Sequence, residues 1–156
     1  MIAIIDYKAG NIRSVENALK RFGAEYVLTA DPEMIRRADH VILPGVGEAS
    51  SAMASLEETG LVPVIKSLTQ PVLGICVGVQ LMCSFSEEGG VECMGIFKSK
   101  VTRFHEASGV KIPHTGWNTI LGAARPAFQE YSRRFVRLLC AFVQRGNIPG
   151  SDCRRD

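Results

Sequence analysis

Four short apolar runs constrain the fold of this chain more than any other feature. They are residues 2–6 (IAIID), 26–28 (YVL), 41–43 (VIL) and 71–75 (PVLGI). Runs this short, each stopped by turn-forming or polar residues, read as buried strands. Between the first two, Ile12, Val15, Leu19 and Phe22 recur at spacings of 3, 4 and 3, one apolar face of a helix. Asn11 is placed to cap that helix and Gly23 to stop it. Residues 7–10 form a turn. Asp31 and Pro32 open a second, short helix, with Asp as cap and Pro at its first position. A helical stretch runs over residues 49–68 with breaks near Gly60 and Pro63. Residues 79–85 read as helix, and Gly89-Gly90 as a turn. Strands alternating with helices predict an α/β domain with a mainly parallel sheet and helices on both faces. Sites on such sheets lie beyond the carboxyl ends of the strands. Three segments fall there: residues 6–11, 44–47 and 76–80.

Composition narrows the class. A chain of 156 residues fits one domain and can bury most of its apolar surface without disulfides. No apolar run approaches the roughly 20 residues that cross a bilayer. The opening MIAIIDYKAGN lacks a basic region and a cleavage pattern, so no signal peptide and a cytoplasmic location are expected. The cysteines are Cys76, Cys83, Cys93, Cys140 and Cys153. Their odd number and the absence of a CxxC pair argue against a zinc site and a disulfide framework. Reduced thiols are expected, each more often a small buried hydrophobe than a nucleophile. A net charge of +2 is too small to imply a nucleic-acid partner.

The charge is unevenly spread. Residues 1–120 carry 11 Lys and Arg against 13 Asp and Glu, whereas residues 121–156 carry 7 against 3, and all seven are Arg. The chain therefore divides into residues 1–120 and an atypical tail, 121–156.

One segment carries chemistry by itself: Gly74-Ile75-Cys76-Val77-Gly78-Val79-Gln80. A buried strand enters Cys76 and a helix leaves it, with glycines that permit the tight turn. This is a nucleophile elbow with sulfur in place of oxygen. The helix N-terminus favours the thiolate, and the following N–H groups face a developing oxyanion. The plainer reading is a structural cysteine in a strand-to-helix turn. Pro44-Gly45-Val46-Gly47 follows the third strand, and its flexible peptides could complete an oxyanion hole; alone it is an ordinary turn.

Taken together these segments resemble a known family. GICVGVQLM is similar to the nucleophile signature of triad-type glutamine amidotransferases, and LPGVG to the oxyanion loop of one branch. IAIIDYKAGNIRSVENAL at the start and KIPHTGWN at residues 111–118 resemble the glutaminase subunit of imidazole glycerol phosphate synthase. The resemblance implies a flavodoxin-like class I amidotransferase domain, incomplete at its C-terminus. It implies Cys76 as nucleophile on the glutamine side-chain amide. Gly45, Val46, Gly47 and Val77 would surround the oxyanion, and Gln80 would help hold glutamine. No metal or cofactor is implied. The partner would be the cyclase subunit, in a heterodimer that takes up the ammonia for histidine biosynthesis. Asn11, Lys111, Pro113, His114, Gly116, Trp117 and Asn118 would face that partner, the last six on a loop. No nucleic acid or membrane is involved.

The pattern breaks at the triad. A thiolate of this class needs a histidine to move protons and a carboxylate to orient it. The family supplies both in a later His-x-Glu. The histidines here are His40, His105 and His114, none later. His114 lies in the interface loop rather than at the base position, and His40 and His105 have no motif context. Catalysis by this chain is therefore expected to be lost. Under one choice of codons, residues 135–143 read one base later spell Ser-Tyr-Val-Tyr-Phe-Val-His-Ser-Tyr, which resembles a family strand. A frameshift that puts residues 121–156 out of frame is therefore the expectation; a divergent tail and a decaying gene are the plainer readings. Partial periodicity over residues 128–143 predicts a helix there, and loss of the later strands predicts a marginally stable chain. Two other functions compete: a non-catalytic partner of the cyclase barrel, and an unrelated cysteine hydrolase on the same kind of sheet. KIPHTGWN argues against the second.

Overall fold

The computed structural model describes residues 1–104 in full and, beyond them, the backbone of three strands. In chain order the elements are β1 (Ile2–Ile5), α1 (Ile12–Arg21), β2 (Tyr26–Thr29), α2 (Pro32–Arg37), β3 (His40–Leu43), α3 (Ala49–Glu58), α4 (Val62–Lys66), β4 (Val72–Gly74) and α5 (Val77–Met82). Then follow β5 (Phe85–Ser86), β6 (Val91–Glu92), β7 (Lys100–Arg103), β8 (His114–Thr119), β9 (Val136–Ala141) and β10 (Val143–Arg145). Two compact units result, one holding residues 1–102 and the other β8 and β9.

Each helix of the first unit starts and stops for a local reason. Asn11 caps α1 by accepting the Ser14 N–H at 3.3 Å, and Lys20 and Arg21 complement the dipole in its last turn. Gly23, at φ +64°, then turns the chain out of the helix. Asp31 caps α2 by accepting the Glu33 N–H at 2.9 Å, with Pro32 at the first position. Gly60, at φ +68°, separates α3 from α4, and Pro63 sits in the first turn of α4.

The main sheet has the order β2-β1-β3-β4, with all its pairings parallel. The parallel sheet is that expected from the strand and helix alternation, and its order is the flavodoxin-like one that the family resemblance implies. The chain leaves β1 toward β2 on one side and toward β3 on the other, so the topological switch point lies between β1 and β3. Ala3 and Ile5 of β1 join the core with Val41, Leu43, Ile35, Leu56 and Leu81. Ile4, between them and so on the opposite face, is also fully buried. Burial on both faces is why the runs of β1 and β3 are continuously apolar rather than alternating. The edge strand β4 leaves Leu73 58% exposed.

Four expectations are corrected. Phe22 is 84% exposed: it lies beyond the last turn as the C-cap of α1, so the half-buried stripe ends at Leu19. Helix α5 runs over Val77–Met82, not 79–85, because the turn is completed at Cys76 alone; Phe85 belongs to β5. Residues 114–118 lie on a strand rather than a loop, since β8 pairs antiparallel with β9, Trp117 opposite Leu138. For the same reason residues 136–141 are strand and not helix: pairing with β8 overrides a weak helical periodicity. The β8–β9 pairing also spans the change of composition at Ile120.

Candidate active site

Cys76 sits where β4 gives way to α5, as the N-cap of that helix, at φ 53° and ψ −118°. A side chain rarely takes this conformation, and holding one there costs about 1–3 kcal/mol. The thiol is exposed. The Ile75 N–H donates to the Leu43 carbonyl at 3.0 Å, which ties the end of β4 to β3 just before the turn.

Three glycines make the turn possible. A Cβ on Gly74 would lie 2.8 Å from the Val79 nitrogen and 2.9 Å from its Cα. A Cβ on Gly78 would collide with the Leu43 carbonyl oxygen and lie 3.0 Å from the Leu43 carbonyl carbon. A Cβ on Gly45 would collide with the Gly78 nitrogen and lie 2.9 Å from the Val77 carbonyl carbon. The loop after β3 thus rests directly on the Val77–Gly78 peptide, with only hydrogens between backbones. Val77 is the first residue of α5, a position whose N–H has no partner within its own helix. Gly47, at φ +84°, and Val46, 47% exposed, leave the outer part of the loop open.

The turn after β1 forms the third side. A Cβ on Gly10 would lie 3.0 Å from the Cβ of Pro44, so this turn also abuts the loop. The structure therefore brings together the three segments that the sequence places at one sheet edge, at the switch point. Asn11 follows them as the cap of α1, its side-chain oxygen engaged with the Ser14 N–H. Gln80, half-buried on α5, has a buried Oε1 with no hydrogen-bond partner among the described residues.

Sequence reasoning missed Tyr7. It is fully buried, and its hydroxyl donates to the Pro44 carbonyl at 2.7 Å. Burial pushes its phenol up to about 12, and the Cys76 thiolate adds to the rise. The signal available was position alone: a tyrosine just past a buried strand, at the edge where the other two segments converge. The folded state favours the protonated phenol, so its contribution is complete below pH 10 and is lost as pH rises toward about 12. A tyrosinate absorbance step should remain until about pH 12 and disappear in Tyr7→Phe; an alkaline titration checks this.

The other candidates lie apart. His40 is exposed at the first residue of β3. Cys76 follows the last residue of β4, which is parallel to β3, so the two occupy opposite sheet edges. Cys83 is buried, and its thiol donates to the Val79 carbonyl at 3.6 Å, a packing role. Burial pushes the Cys93 thiol up to about 11. His105, Lys111, Pro113 and Cys153 lie outside the described residues. His114, Gly116, Trp117 and Asn118 fall on β8, opposite Ala141, Leu139, Leu138 and Arg137 of β9. No group of three or more metal-ligating side chains occurs among the described residues, and no helix there is long and apolar enough to cross a membrane.

A nucleophile elbow faced by a glycine loop, at the carboxyl end of a parallel sheet of this order, defines an α/β domain of the nucleophile-elbow type. The sequence pattern of the family "Glutamine amidotransferase class-I" matches residues 3–138, past the change of composition at Ile120. Imidazole glycerol phosphate synthase subunit HisH of Bacteroides thetaiotaomicron is 57% identical over 146 residues, covering 90% of this chain and 73% of the relative. HisH of Bacteroides fragilis strain YCH46 is 54% identical over 136 residues, covering 85% and 68%. A crystal structure of a glutamine amidotransferase superposes with a TM-score of 0.61 over 76% of this chain and 64% of the other, at 18% identity, which speaks for the fold. The chain belongs to the class-I glutamine amidotransferases and, within them, to the HisH family.

Proposed function

We propose that this chain is a glutaminase subunit of imidazole glycerol phosphate synthase, built to take glutamine at Cys76 and to work with a cyclase subunit. The carrying observation is the loop of Gly45 laid against the Val77–Gly78 peptide, beside an exposed, strained Cys76. In the proposed reaction the Cys76 sulfur attacks the side-chain amide carbon. The carbonyl oxygen, as it gains charge, meets N–H groups of the loop near Val46 and of Val77. The C–N bond breaks, ammonia leaves, and water cleaves the thioester to glutamate. Gln80, with its free buried acceptor, would help hold the substrate. No step calls for a metal or organic cofactor. The residues 111–118 and Asn11 would meet the partner, and the work would be cytoplasmic.

Proton transfer is the weak point. His40 lies at the opposite sheet edge, and the sequence has no histidine after His114. The residues described supply the binding and nucleophilic half of the site. The position of His40, away from the elbow, favours a second reading as well, a non-catalytic subunit that docks on the cyclase. Glutamate release on adding glutamine and a cyclase subunit separates the two. Complex formation by gel filtration with glutamate release supports the glutaminase reading, and complex formation with no glutamate above background supports the second. Sustained turnover would show that another group moves the proton.

A further inference from the structure

We propose that Tyr7 is a positioning residue for the glutamine reaction: its hydroxyl, by holding the Pro44 carbonyl, sets the glycine loop at its working distance from Cys76. The inference rests on the glutaminase reading above and extends it to Tyr7, a residue that the sequence motifs assigned no role.

The geometry runs through three backbones in contact. Tyr7 is anchored in the core as the residue two past the end of β1, with its ring fully buried. Its hydroxyl reaches 37 residues along the chain to the Pro44 carbonyl at 2.7 Å. Because the peptide unit is planar, fixing that carbonyl also fixes the direction of the Gly45 N–H. Gly10, directly before the Asn11 cap of α1, bears on the Pro44 ring from the same turn. Beyond Pro44, the loop has little stiffness of its own: Gly45 lacks a side chain, and Gly47 sits at φ +84°. Yet Gly45 has no clearance from the Val77–Gly78 peptide. A small drift of the loop must therefore either clash with the elbow or open a gap at the place where an oxyanion would form. The phenol is protonated at neutral pH with or without the rise that burial causes, so it is a donor under working conditions.

The test compares two electrophiles on Cys76 in the full chain. The chloromethyl ketone analogue of glutamine, with its amide nitrogen replaced by CH2Cl, reacts at a carbonyl that the loop would polarise. A sulfur–carbon bond forms, the carbon–chlorine bond breaks, and chloride leaves. Iodoacetamide alkylates the same sulfur with loss of iodide and needs no oxyanion site. In Tyr7→Phe the chloroketone rate should fall about tenfold, less than removal of a donor outright would cause, while the iodoacetamide rate is unchanged. A merely structural role would move both rates together. Replacing Tyr7 by 4-aminophenylalanine, which keeps a weaker donor on the same ring, should give a ratio of rates between those of Phe and Tyr. If Tyr7→Phe does not fold, that second variant decides. A ratio equal to the unsubstituted chain's overturns the role of Tyr7 and leaves the glutamine site standing. Failure of the unsubstituted chain to react with the chloroketone, while reacting with iodoacetamide, overturns the glutamine site and this inference with it.

Discussion

Gly78→Ala is expected to lose about 3 kcal/mol or more of stability and, with it, the ordered elbow. The added methyl would collide with the Leu43 carbonyl oxygen, with the Leu43 carbon at 3.0 Å and the Pro44 carbon at 3.3 Å behind it. None of these atoms is the free end of a side chain. Leu43 is fully buried at the end of β3, and its carbonyl is already engaged with the Ile75 N–H. Relief requires moving β3 or α5, and both belong to the core. Overpacking usually costs about 1–3 kcal/mol, and an obstruction made of backbone belongs at the top of that range. Set against the ~5–15 kcal/mol that holds a typical domain together, this is a large share. Gly60→Ala is the control. Gly60 also takes a positive φ, +68°, but nothing lies within 4 Å of its missing Cβ, so only backbone strain of about 1–2 kcal/mol is expected. Urea unfolding of both variants checks the ordering. Equal losses would mean that the close approach of α5 to β3 is not what requires glycine at 78.

Cys76→Gly should do the reverse: stabilise the fold and end the chemistry. Cys76 holds φ 53° and ψ −118°, a conformation glycine adopts without steric penalty. The gain from relieving that strain is partly offset by the extra freedom glycine has when unfolded, leaving about 1 kcal/mol in favour of the variant. Thiol labelling at this position is lost completely. A raised urea midpoint together with lost reactivity would show strain held in place for the sake of the sulfur. A lowered midpoint would show that the side chain's contacts outweigh its backbone strain. Tyr7→Phe differs in kind, because it leaves the sulfur and its backbone in place.

Much of this was legible in the sequence because it depends on local patterns. Asp31-Pro32 and Asn11 marked helix starts through cap chemistry that operates within three residues. The apolar runs of β1 and β3 marked strands because each is buried on both faces, while those of the edge strands β2 and β4 were marked by their length and the turn residues that stop them. GICVGVQ marked the elbow because a strand, a reactive side chain and a helix must meet there with glycines between them. What could not be read were contacts between segments distant in sequence. Gly78 was expected to ease a turn, but its actual constraint is a carbonyl 35 residues earlier. Tyr7 looked like a turn residue because nothing in its neighbourhood announces Pro44. Val136–Ala141 carries a weak helical periodicity, and its extended form depends on pairing with the distant His114–Thr119. Phe22 fitted the apolar spacing of α1, but spacing does not say where a helix runs out of sheet to cover.

The most direct test of the account is to map which cysteine the chloromethyl ketone analogue of glutamine modifies, by mass spectrometry of peptides from the intact folded chain. Adduct on Cys76, suppressed by free glutamine, with Cys83 and Cys93 unmodified, is the predicted result. Buried Cys83 and the high thiol of Cys93 leave those two poor competitors at neutral pH. Modification that spreads over the cysteines without regard to glutamine, or that spares Cys76, would contradict a glutamine site at this elbow.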